Sequence, residues 1–429
     1  MMTIAKSLLI ASLLSATCAV LQAQFDSMTA FPLTGISYPG QITEGPDKAL
    51  WFGTGGSAIG RMTAAGVVTE YEYAATSASG GITVGPDGAL WFTIGSGEIG
   101  RITTAGAITT YNVPTANSQP GFIAAGSDGA LWFTETGANQ IGRITTAGLV
   151  TEYPLPDTNN SPTVIAAGPD GALWFIYDYQ AAIGRITTSG AVTEYTLPFT
   201  IGFPVSITAG PDGALWFPTD LDVGVVGRIT TAGAISQYSA PHLSANAITS
   251  GPDGALWLTE YTGYVGRMTT SGVFTQYPVP ATGVPWGIAM GPDASLWLTD
   301  WAASQGSGSI LRALACGLGL NVSYASGTLT MNFDLSIMLK ATWSAWLVNG
   351  IGETALWSEP IDATHPPRPF TFTRSVSPEG NVGVLSALSG SGGSFLCTDF
   401  QIVNTGGPGP SEDELRREVL GSGLVPALP

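Results

Sequence analysis

Seven tryptophans recur along the chain at nearly constant spacing, and this repeat restricts the possible folds more than any other feature of the sequence. They are Trp51, Trp91, Trp132, Trp174, Trp216, Trp257 and Trp297, at intervals of 40 to 42 residues. Each unit contains four short β-prone runs divided by turn residues. Four strands in a repeat of about 40–45 residues is the pattern of a propeller blade. The sequence therefore predicts an all-β protein whose main domain is a seven-bladed β-propeller.

The recurring polar residues of the unit have structural interpretations. In the Gly-Pro-Asp-Gly turn at 210–213, proline fixes φ at the second position and the last glycine accepts positive φ. The aspartates of such turns are therefore interpreted as turn residues and not as metal ligands: Asp87, Asp170, Asp212, Asp253 and Asp293. Arginine recurs at one repeat position: Arg61, Arg101, Arg143, Arg185, Arg228, Arg267 and Arg312. Because opposite charges on neighbouring strands stabilise a sheet, we expect these arginines to pair with Glu70, Glu152 and Glu194 across the last hairpin.

The two ends of the repeat indicate how the ring closes. The seventh unit stops after its third strand, near Ser309 to Arg312, and has no fourth strand of its own. Residues 25–33 precede the first full unit and resemble the missing strand. We therefore expect the N-terminal segment to complete blade seven, which removes an exposed sheet edge.

Three further segments flank the predicted propeller at 24–314. Residues 1–23 have the pattern of a secretory signal, with Lys6 followed by an apolar run and a small residue, Ala23, before the cleavage site. Residues 315–405 contain short alternating runs such as Thr328 to Phe333 and predict a small antiparallel domain of the β-sandwich type. Residues 406–429 read as a linker and a loose C-terminal tail.

The signal segment predicts a secreted or periplasmic protein, and its removal leaves two cysteines, Cys316 and Cys397. In an oxidising compartment a lone pair usually forms a disulfide, so we expect these two residues to be bonded. Two buried free thiols are the alternative.

Charge and hydropathy limit the partners. The formal net charge of −17 argues against nucleic acid, whose phosphates need clustered lysine and arginine. After the signal no apolar run is long enough to span a bilayer, so no membrane insertion is expected. The predicted partner is a small molecule, a peptide or a glycan at the mouth of the propeller channel, and the protein is expected to be a monomer.

Three stretches of the third unit carry a family resemblance: Gly-Ala-Leu-Trp-Phe-Thr-Glu at 129–135, Ile-Gly-Arg-Ile-Thr-Thr-Ala-Gly at 141–148 and Thr-Glu-Tyr-Pro-Leu-Pro at 151–156. With the equivalent stretches of the other units they resemble the virginiamycin B lyase (streptogramin B lyase) family. The resemblance implies a magnesium-dependent carbon–oxygen lyase that linearises a cyclic depsipeptide by elimination at its ester. Such chemistry needs a base for the proton α to a carbonyl and a cation for the enolate-like charge.

The functional residues that the resemblance implies are replaced in this chain. The family's Glu-Pro-His-Gly-Ile, with a metal-binding Glu and a basic His, corresponds to 284–288, which reads Val-Pro-Trp-Gly-Ile. The position of a second metal carboxylate holds Trp301, and the neighbouring Asp300 would point to the opposite face of its strand. In the sixth unit Asn246 stands where the family has another histidine. Magnesium is therefore expected only if lyase activity is retained; otherwise the cofactor is unknown.

These replacements favour a ligand-binding or scaffold propeller, and the alternative is a lyase of the virginiamycin B lyase type. The ligand-binding residues predicted from deviations in the repeat are Asn246, Glu260, Trp286, Asp300 and Trp301. Indole faces could hold a ring or a peptide, and the carboxylates could orient it. The alternative for Trp286 and Trp301 is that they plug the channel.

Two other hypotheses concern titratable residues. Acidic residues recur just after the repeat tryptophans, at Glu135, Asp178, Asp220, Glu260 and Asp300, and could ring one end of the channel around a cation. Solvated strand ends are the favoured interpretation. His242 precedes the sixth unit and is either a relocated base or a histidine of a surface loop.

Overall fold

The computed structural model describes residues 28–313, apart from 75–78, 157–160, 179, 199–201, 220–223, 280–282, 293–294 and 302–306, together with seven strands between residues 321 and 404. Every helix or strand assigned in these described residues is a β-strand. The first 28 strands form seven antiparallel sheets of four strands each, which confirms the predicted seven-bladed propeller.

Each blade has four strand positions from the channel to the rim. The innermost strands are β2 (Ile42–Glu44), β6 (Ser79–Val84), β10 (Pro120–Ala125), β14 (Pro162–Ala167), β18 (Thr208–Ala209), β22 (Ala245–Ser250) and β26 (Val284–Met290). The second strands are β3 (Leu50–Gly53), β7 (Leu90–Ile94), β11 (Ala130–Glu135), β15 (Leu173–Tyr177), β19 (Ala214–Pro218), β23 (Leu256–Glu260) and β27 (Leu296–Trp301).

The outer half of each blade completes the sheet. The third strands are β4 (Ala58–Met62), β8 (Glu98–Ile102), β12 (Gln140–Thr145), β16 (Ala182–Ile186), β20 (Val225–Thr230), β24 (Tyr264–Met268) and β28 (Ser309–Ala313). The outermost strands are β5 (Val68–Glu72), β9 (Ile108–Asn112), β13 (Val150–Pro154), β17 (Val192–Thr196), β21 (Ile235–Ser239), β25 (Phe274–Pro278) and, for blade seven, β1 (Thr29–Pro32).

Ring closure occurs as the sequence predicts. Strand β1, which lies within the predicted segment 25–33, pairs antiparallel with β28 and is the outer strand of blade seven. Phe31 of β1 stacks on Trp297 with ring centroids 5.5 Å apart. In the other six blades a tyrosine of the outer strand stacks on the blade tryptophan, as Tyr71 does on Trp51 at 5.6 Å. Phe31 therefore fills the aromatic position that blade seven would otherwise lack.

A network of hydrogen bonds anchors each turn aspartate in blades one to five. In blade three, Trp132 Nε1 donates to Asp128 Oδ1 at 3.1 Å and Arg143 Nε donates to Asp128 Oδ2 at 2.7 Å. The guanidinium carbon of Arg143 lies 5.9 Å from the Trp132 ring centroid. The same bonds recur with Asp87, Asp170 and Asp212, which confirms that these aspartates have a structural role.

The predicted pairing of the arginines with outer-strand glutamates is wrong. Arg143 lies opposite Thr151, whereas Glu152 lies opposite Gly142. Because successive side chains alternate between the two faces of a strand, this offset of one residue puts the arginine and the glutamate on opposite faces of the blade. Glu152 instead accepts hydrogen bonds from Thr115, in the link between blades two and three.

The chain divides into two compact units, one formed by residues 27–251 and 255–314 and the other by residues 315–429 with two short segments. The strands of the second unit are β29 (Asn321–Ala325), β30 (Thr328–Phe333), β31 (Ala341–Val348), β32 (Glu353–Ile361), β33 (Phe370–Ser375), β34 (Asn381–Gly390) and β35 (Phe395–Asn404). They form two antiparallel sheets with the strand orders β29-β30-β33 and β32-β31-β34-β35.

Several sequence predictions lie outside the described residues. They are the signal segment at 1–23, Cys316 of the predicted disulfide and the tail at 406–429. Cys397, the predicted partner of Cys316, belongs to β35. The disulfide between them stays a prediction. In the part of the chain that the structure describes, no helix has the length and apolar character needed to cross a membrane.

Candidate functional site

The two ends of the propeller differ in construction. Each innermost strand runs from one end, here named the mouth end, to the other, named the turn end. The Gly-Pro-Asp turns and the hairpin turns between third and outer strands lie at the turn end, whereas the links between blades lie at the mouth end. The sequence-predicted site residues stand at the beginning of an innermost strand or at the end of a second strand, so all five lie at the mouth end.

A cavity of about 140 Å³ lies among the innermost strands of all seven blades. Most of the residues that line it have apolar side chains: Ile82, Phe122, Ile123, Val164, Ile165, Ile207, Ala247, Ile248 and Ile288, with Gln41, Gly81 and Ser206. Neither Trp286 nor Trp301 lines this cavity. The structure therefore places both indoles outside the lining of this cavity, and the alternative that they plug the channel mouth stays open.

A β-bulge sets the position of Trp286. Two residues of β26, Trp286 and Gly287, lie opposite the single residue Thr299 of β27. A bulge bends its strand and redirects a side chain that regular pairing would fix. Thr299 Oγ1 accepts from Gly287 N at 2.8 Å and donates to Gly40 O of blade one at 2.9 Å. One hydroxyl thus holds the bulge and joins it to the neighbouring blade.

A second bulge, in blade six, positions Asn246 against the same strand. Asn246 is the extra residue of β22 at this bulge, and its Nδ2 donates to Pro285 O at 2.7 Å. Thr259 Oγ1 accepts from Ala247 N at 3.2 Å and donates to Trp286 O at 2.6 Å. Blade six therefore binds the backbone carbonyls of Pro285 and Trp286 and leaves the indole of Trp286 free to pack.

Four aromatic side chains form a continuous group here, which we name the aromatic corner: Tyr38, Trp301, Trp286 and Tyr261. The indoles of Trp286 and Trp301 stack with centroids 4.0 Å apart and an interplanar angle of 16°. Tyr261 meets Trp286 edge-on at 5.7 Å, and Tyr38 meets Trp301 edge-on at 5.6 Å. The tyrosines are 52% and 57% exposed, so aromatic surface remains open to solvent.

The aromatic corner has one polar anchor and two members that the sequence interpretation missed. Trp301 Nε1 donates to Pro39 O at 2.8 Å, which ties blade seven to the beginning of blade one. Tyr38 and Tyr261 were not predicted as site residues. A signal for Tyr261 exists in the sequence, since it follows Trp257 by four residues, as Trp301 follows Trp297.

The two predicted carboxylates lie deeper than the aromatic rings. Glu260 is 0% and Asp300 is 4% exposed. Glu260 Oε2 accepts from Gln276 Nε2 at 2.7 Å, and Asp300 Oδ2 accepts from Ser309 Oγ at 3.1 Å, in each case within the same blade. Burial raises the pKa of Glu260 to about 7 and that of Asp300 to about 6. The structure therefore brings Asn246 together with the two indoles and places both carboxylates in the blade interior.

The hypothesis of a cation held by a ring of acidic residues is not supported by these positions. Glu135, at the equivalent position of blade three, is fully buried, while Asp178 is exposed and Asp220 lies outside the described residues. Burial and the neighbouring Glu152 raise the pKa of Glu135 to about 8. Among the described residues, no three His, Cys, Asp or Glu side chains are grouped so that they could hold a metal ion.

His242 lies in the link between β21 and β22 and is exposed, with a φ of 64°. A non-glycine residue with positive φ is uncommon and is found mostly in turns. The position agrees with the interpretation of His242 as a histidine of a surface loop. It is the sole histidine that the structure describes, because His365 lies outside the described residues.

Comparison with known proteins gives consistent matches. The model of the virginiamycin B lyase family matches residues 26–299. A solved streptogramin B lyase structure is 34% identical, with a TM-score of 0.61, over 66% of this chain and 96% of that chain. Selenomethionine-substituted virginiamycin B lyase from Staphylococcus aureus is 35% identical, with a TM-score of 0.62, over 67% of this chain and 99% of that chain.

A third structure is a catalytically inactive histidine-to-alanine variant of virginiamycin B lyase from Staphylococcus aureus with quinupristin. It is 35% identical to this chain, with a TM-score of 0.61, over 67% of this chain and 99% of that chain. No curated protein matches the chain.

Proposed function

The chain belongs to the virginiamycin B lyase family, and from this premise we propose that it is a secreted propeller that binds a ligand at the aromatic corner and does not open cyclic depsipeptides. The observation that carries the proposal is Trp286. This residue stands where the family resemblance places the catalytic base, and it stacks on Trp301 instead. An indole has one N–H donor and no acceptor for a proton, so it cannot act as a general base.

The inactive relative shows how much depends on one histidine. Replacement of a histidine by alanine gives a virginiamycin B lyase that is catalytically inactive. In this chain His242 is exposed on the link into blade six, and no hydrogen bond joins it to the aromatic corner in the described residues. This position supports the loss of the lyase reaction.

The side chains at the family's metal positions do not fit a magnesium ion. Magnesium prefers oxygen ligands from carboxylates, carbonyls and water. The corresponding residues here are Val284, which is aliphatic, and Trp301, whose indole nitrogen donates to Pro39 O. Asp300 is buried and accepts from Ser309, so it does not replace the missing carboxylate at the surface.

Incubation of the purified protein with a streptogramin B antibiotic and Mg²⁺ tests the loss of lyase activity. We expect the antibiotic to stay cyclic, as judged by liquid chromatography with tandem mass spectrometry. Virginiamycin B lyase from Staphylococcus aureus is the positive control. A linear product would support the alternative function, a magnesium-dependent carbon–oxygen lyase. A Val284→Glu, Trp286→His double variant restores the metal-binding Glu and the basic His but not the carboxylate at position 301. A linear product from this variant would show that the scaffold still supports the reaction.

The aromatic corner offers a place for a small molecule, a peptide or a glycan. Large aromatic side chains dominate the binding energy of many recognition sites. In a screen against glycan, peptide and metabolite libraries, we expect Trp286→Ala to weaken binding of a retained ligand by about 1–3 kcal/mol without unfolding the propeller. If a folded Trp286→Ala, Trp301→Ala double variant keeps the full affinity, the ligand binds elsewhere.

Secretion has a direct test of its own. Expression of the full-length gene followed by N-terminal sequencing of the mature protein should show cleavage after Ala23, with the product in the periplasm or the medium. A protein that keeps residues 1–23 in the cytoplasm contradicts this part of the proposal.

A further inference from the structure

Basic residues of the propeller are confined to its turn end. Between residues 28 and 313 the chain has eight: Lys48, Arg61, Arg101, Arg143, Arg185, Arg228, Arg267 and Arg312. Each arginine lies over the tryptophan of its blade, with the guanidinium carbon 5.6 to 6.0 Å from the ring centroid. Lys48 lies in the first Gly-Pro-Asp turn and pairs with Glu44 at 2.7 Å. All eight positive charges are thus directed away from the aromatic corner.

Acidic residues dominate the opposite end. Glu72, Glu98 and Asp178 are the exposed or half-exposed carboxylates described there, whereas Glu135, Glu260 and Asp300 are buried and have a raised pKa. His242 is the one described side chain at the mouth end that can carry a positive charge. The charge distribution therefore makes the mouth end negative relative to the turn end. Such a field attracts cations and repels anions, and it raises the local concentration of a positively charged ligand.

Three buried oxygen atoms next to the aromatic corner also favour a positively charged ligand. Asn246 Oδ1, Glu260 Oε1 and Asp300 Oδ1 are buried and have no hydrogen-bond partner in the described part of the chain. All three oxygen atoms carry negative partial charge, which attracts a nearby cation even when that cation has no N–H to donate. Asn246 Nδ2 donates to Pro285 O, and this bond fixes the orientation of the amide whose Oδ1 is unpaired.

The aromatic rings also favour a cation. The face of an aromatic ring carries the negative part of its quadrupole, and tryptophan attracts cations most strongly. The aromatic corner presents two indoles and two half-exposed tyrosines at the negative end of the molecule. On the basis of the ligand-binding function proposed above, we infer that the ligand of the aromatic corner carries an alkylated ammonium group, which is seated against the indole pair.

Choline and its neutral isostere 3,3-dimethylbutan-1-ol provide a matched pair of probes, since they have nearly the same shape and differ in charge. Isothermal titration calorimetry of the purified full chain should show choline binding about 5–30-fold more tightly than the isostere, which corresponds to about 1–2 kcal/mol. In Trp286→Leu, which keeps an apolar side chain without a π face, we expect the preference to fall below about 2-fold. Trp286→Phe should retain part of it.

Tyr264→Leu is the control variant, because Tyr264 is 39% exposed at the mouth end and belongs to no ring pair of the aromatic corner. It should bind choline as the unaltered protein does. Equal affinity for choline and the isostere overturns the inference, and if that affinity is lost in Trp286→Leu, the proposed ligand-binding function still stands. Absence of binding by both probes also overturns the inference, and the library screen with Trp286→Ala then decides the proposed function separately.

Discussion

At the turn end, blades one to five repeat one arrangement, in which an aspartate accepts from a tryptophan at 2.9 to 3.1 Å and from an arginine at 2.6 to 2.7 Å. At the mouth end, the residues at equivalent positions differ from blade to blade. The residue three places after the blade tryptophan is Glu135 in blade three, Tyr177 in blade four and Asp300 in blade seven. Positions that every blade needs for its own packing stay the same, whereas positions that a ligand can reach are free to differ.

The two ends also treat their carboxylates in opposite ways. At the turn end, burial alone would raise the pKa of Asp170, but hydrogen bonds from Trp174 and Arg185 outweigh it and hold the pKa below its ordinary value of 3.8. At the mouth end, burial and the neighbouring Glu152 both raise the pKa of Glu135, to about 8. The turn end thus stabilises the ionised carboxylate of Asp170, whereas the mouth end favours the protonated, uncharged form of Glu135.

The largest effect that separates the two ends should come from removing one indole at each. Trp174 is fully buried, stacks on Tyr195 at 5.5 Å and donates to Asp170. We expect Trp174→Ala to lower the free energy of unfolding by about 3–5 kcal/mol. Trp286→Ala, which removes a half-buried indole, should cost about 0.5–1.5 kcal/mol. Urea denaturation followed by circular dichroism measures both.

Tyr195→Leu provides a matched control in the same blade, because it removes the stacked ring and leaves the bond between Trp174 and Asp170 intact. Its cost should lie between the costs of the two tryptophan variants. If Trp286→Ala proves as destabilising as Trp174→Ala, the aromatic corner is part of the core and the distinction between the two ends fails.

Much of the fold could be predicted from the sequence because the repeat reports it many times over. The spacing of the tryptophans determined the blade number, and the missing fourth strand after Arg312 predicted the closure by β1. The partner of Arg143 could not be predicted from the repeat. The arginine and Glu152 recur together along the chain, but the residue opposite Arg143 is Thr151, one place before Glu152.

The candidate site was only partly predictable, because bulges interrupt the simple alternation of strand faces. Trp286 and Trp301 were identified as deviations from the repeat, but their stacking depends on the bulge opposite Thr299. Glu260 is buried and paired with Gln276 of another strand, and spacing along one strand shows neither. Tyr38 belongs to a link between blades that has no repeat pattern.

A smaller effect should appear in the pH dependence of stability. The pKa of Glu135 rises from 4.5 to about 8 on folding, so between these pH values the folded state binds more protons than the unfolded state. The free energy of unfolding therefore falls as the pH rises through this window. Glu135→Gln removes the titration, and at pH 8 we expect this variant to be more stable than the unaltered protein by about 1–3 kcal/mol.

Asp170→Asn should change the pH dependence of the free energy of unfolding in the opposite direction to Glu135→Gln. The folded pKa of Asp170 is lowered, so its contribution is complete above pH 3.8 and is lost as the pH falls through the folded value. This variant should be less stable than the unaltered protein at neutral pH, and the difference should shrink in acid. Thermal unfolding in a series of buffers from pH 3 to pH 9 measures both variants. Parallel pH profiles for the two would contradict the opposite treatment of charge at the two ends.

The smallest effect tests how the mouth end positions its aromatic rings. Two side chains of blade six hold the backbone at the beginning of the bulge. Asn246 Nδ2 donates to Pro285 O at 2.7 Å, and Thr259 Oγ1 donates to Trp286 O at 2.6 Å. Because the Thr259 bond remains, Asn246→Ala should lower the free energy of unfolding by about 0.5–1.5 kcal/mol.

The characteristic effect of Asn246→Ala should be on the indole pair, since Trp286 directly follows Pro285, whose carbonyl loses its hydrogen bond. Near-ultraviolet circular dichroism responds to the relative orientation of stacked indoles, and its intensity should fall in Asn246→Ala. Gln276→Ala is the control, because it removes a hydrogen bond to Glu260 in the same blade. It should leave the spectrum unchanged. A normal spectrum for Asn246→Ala would mean that the bulge and Thr259 alone position Trp286.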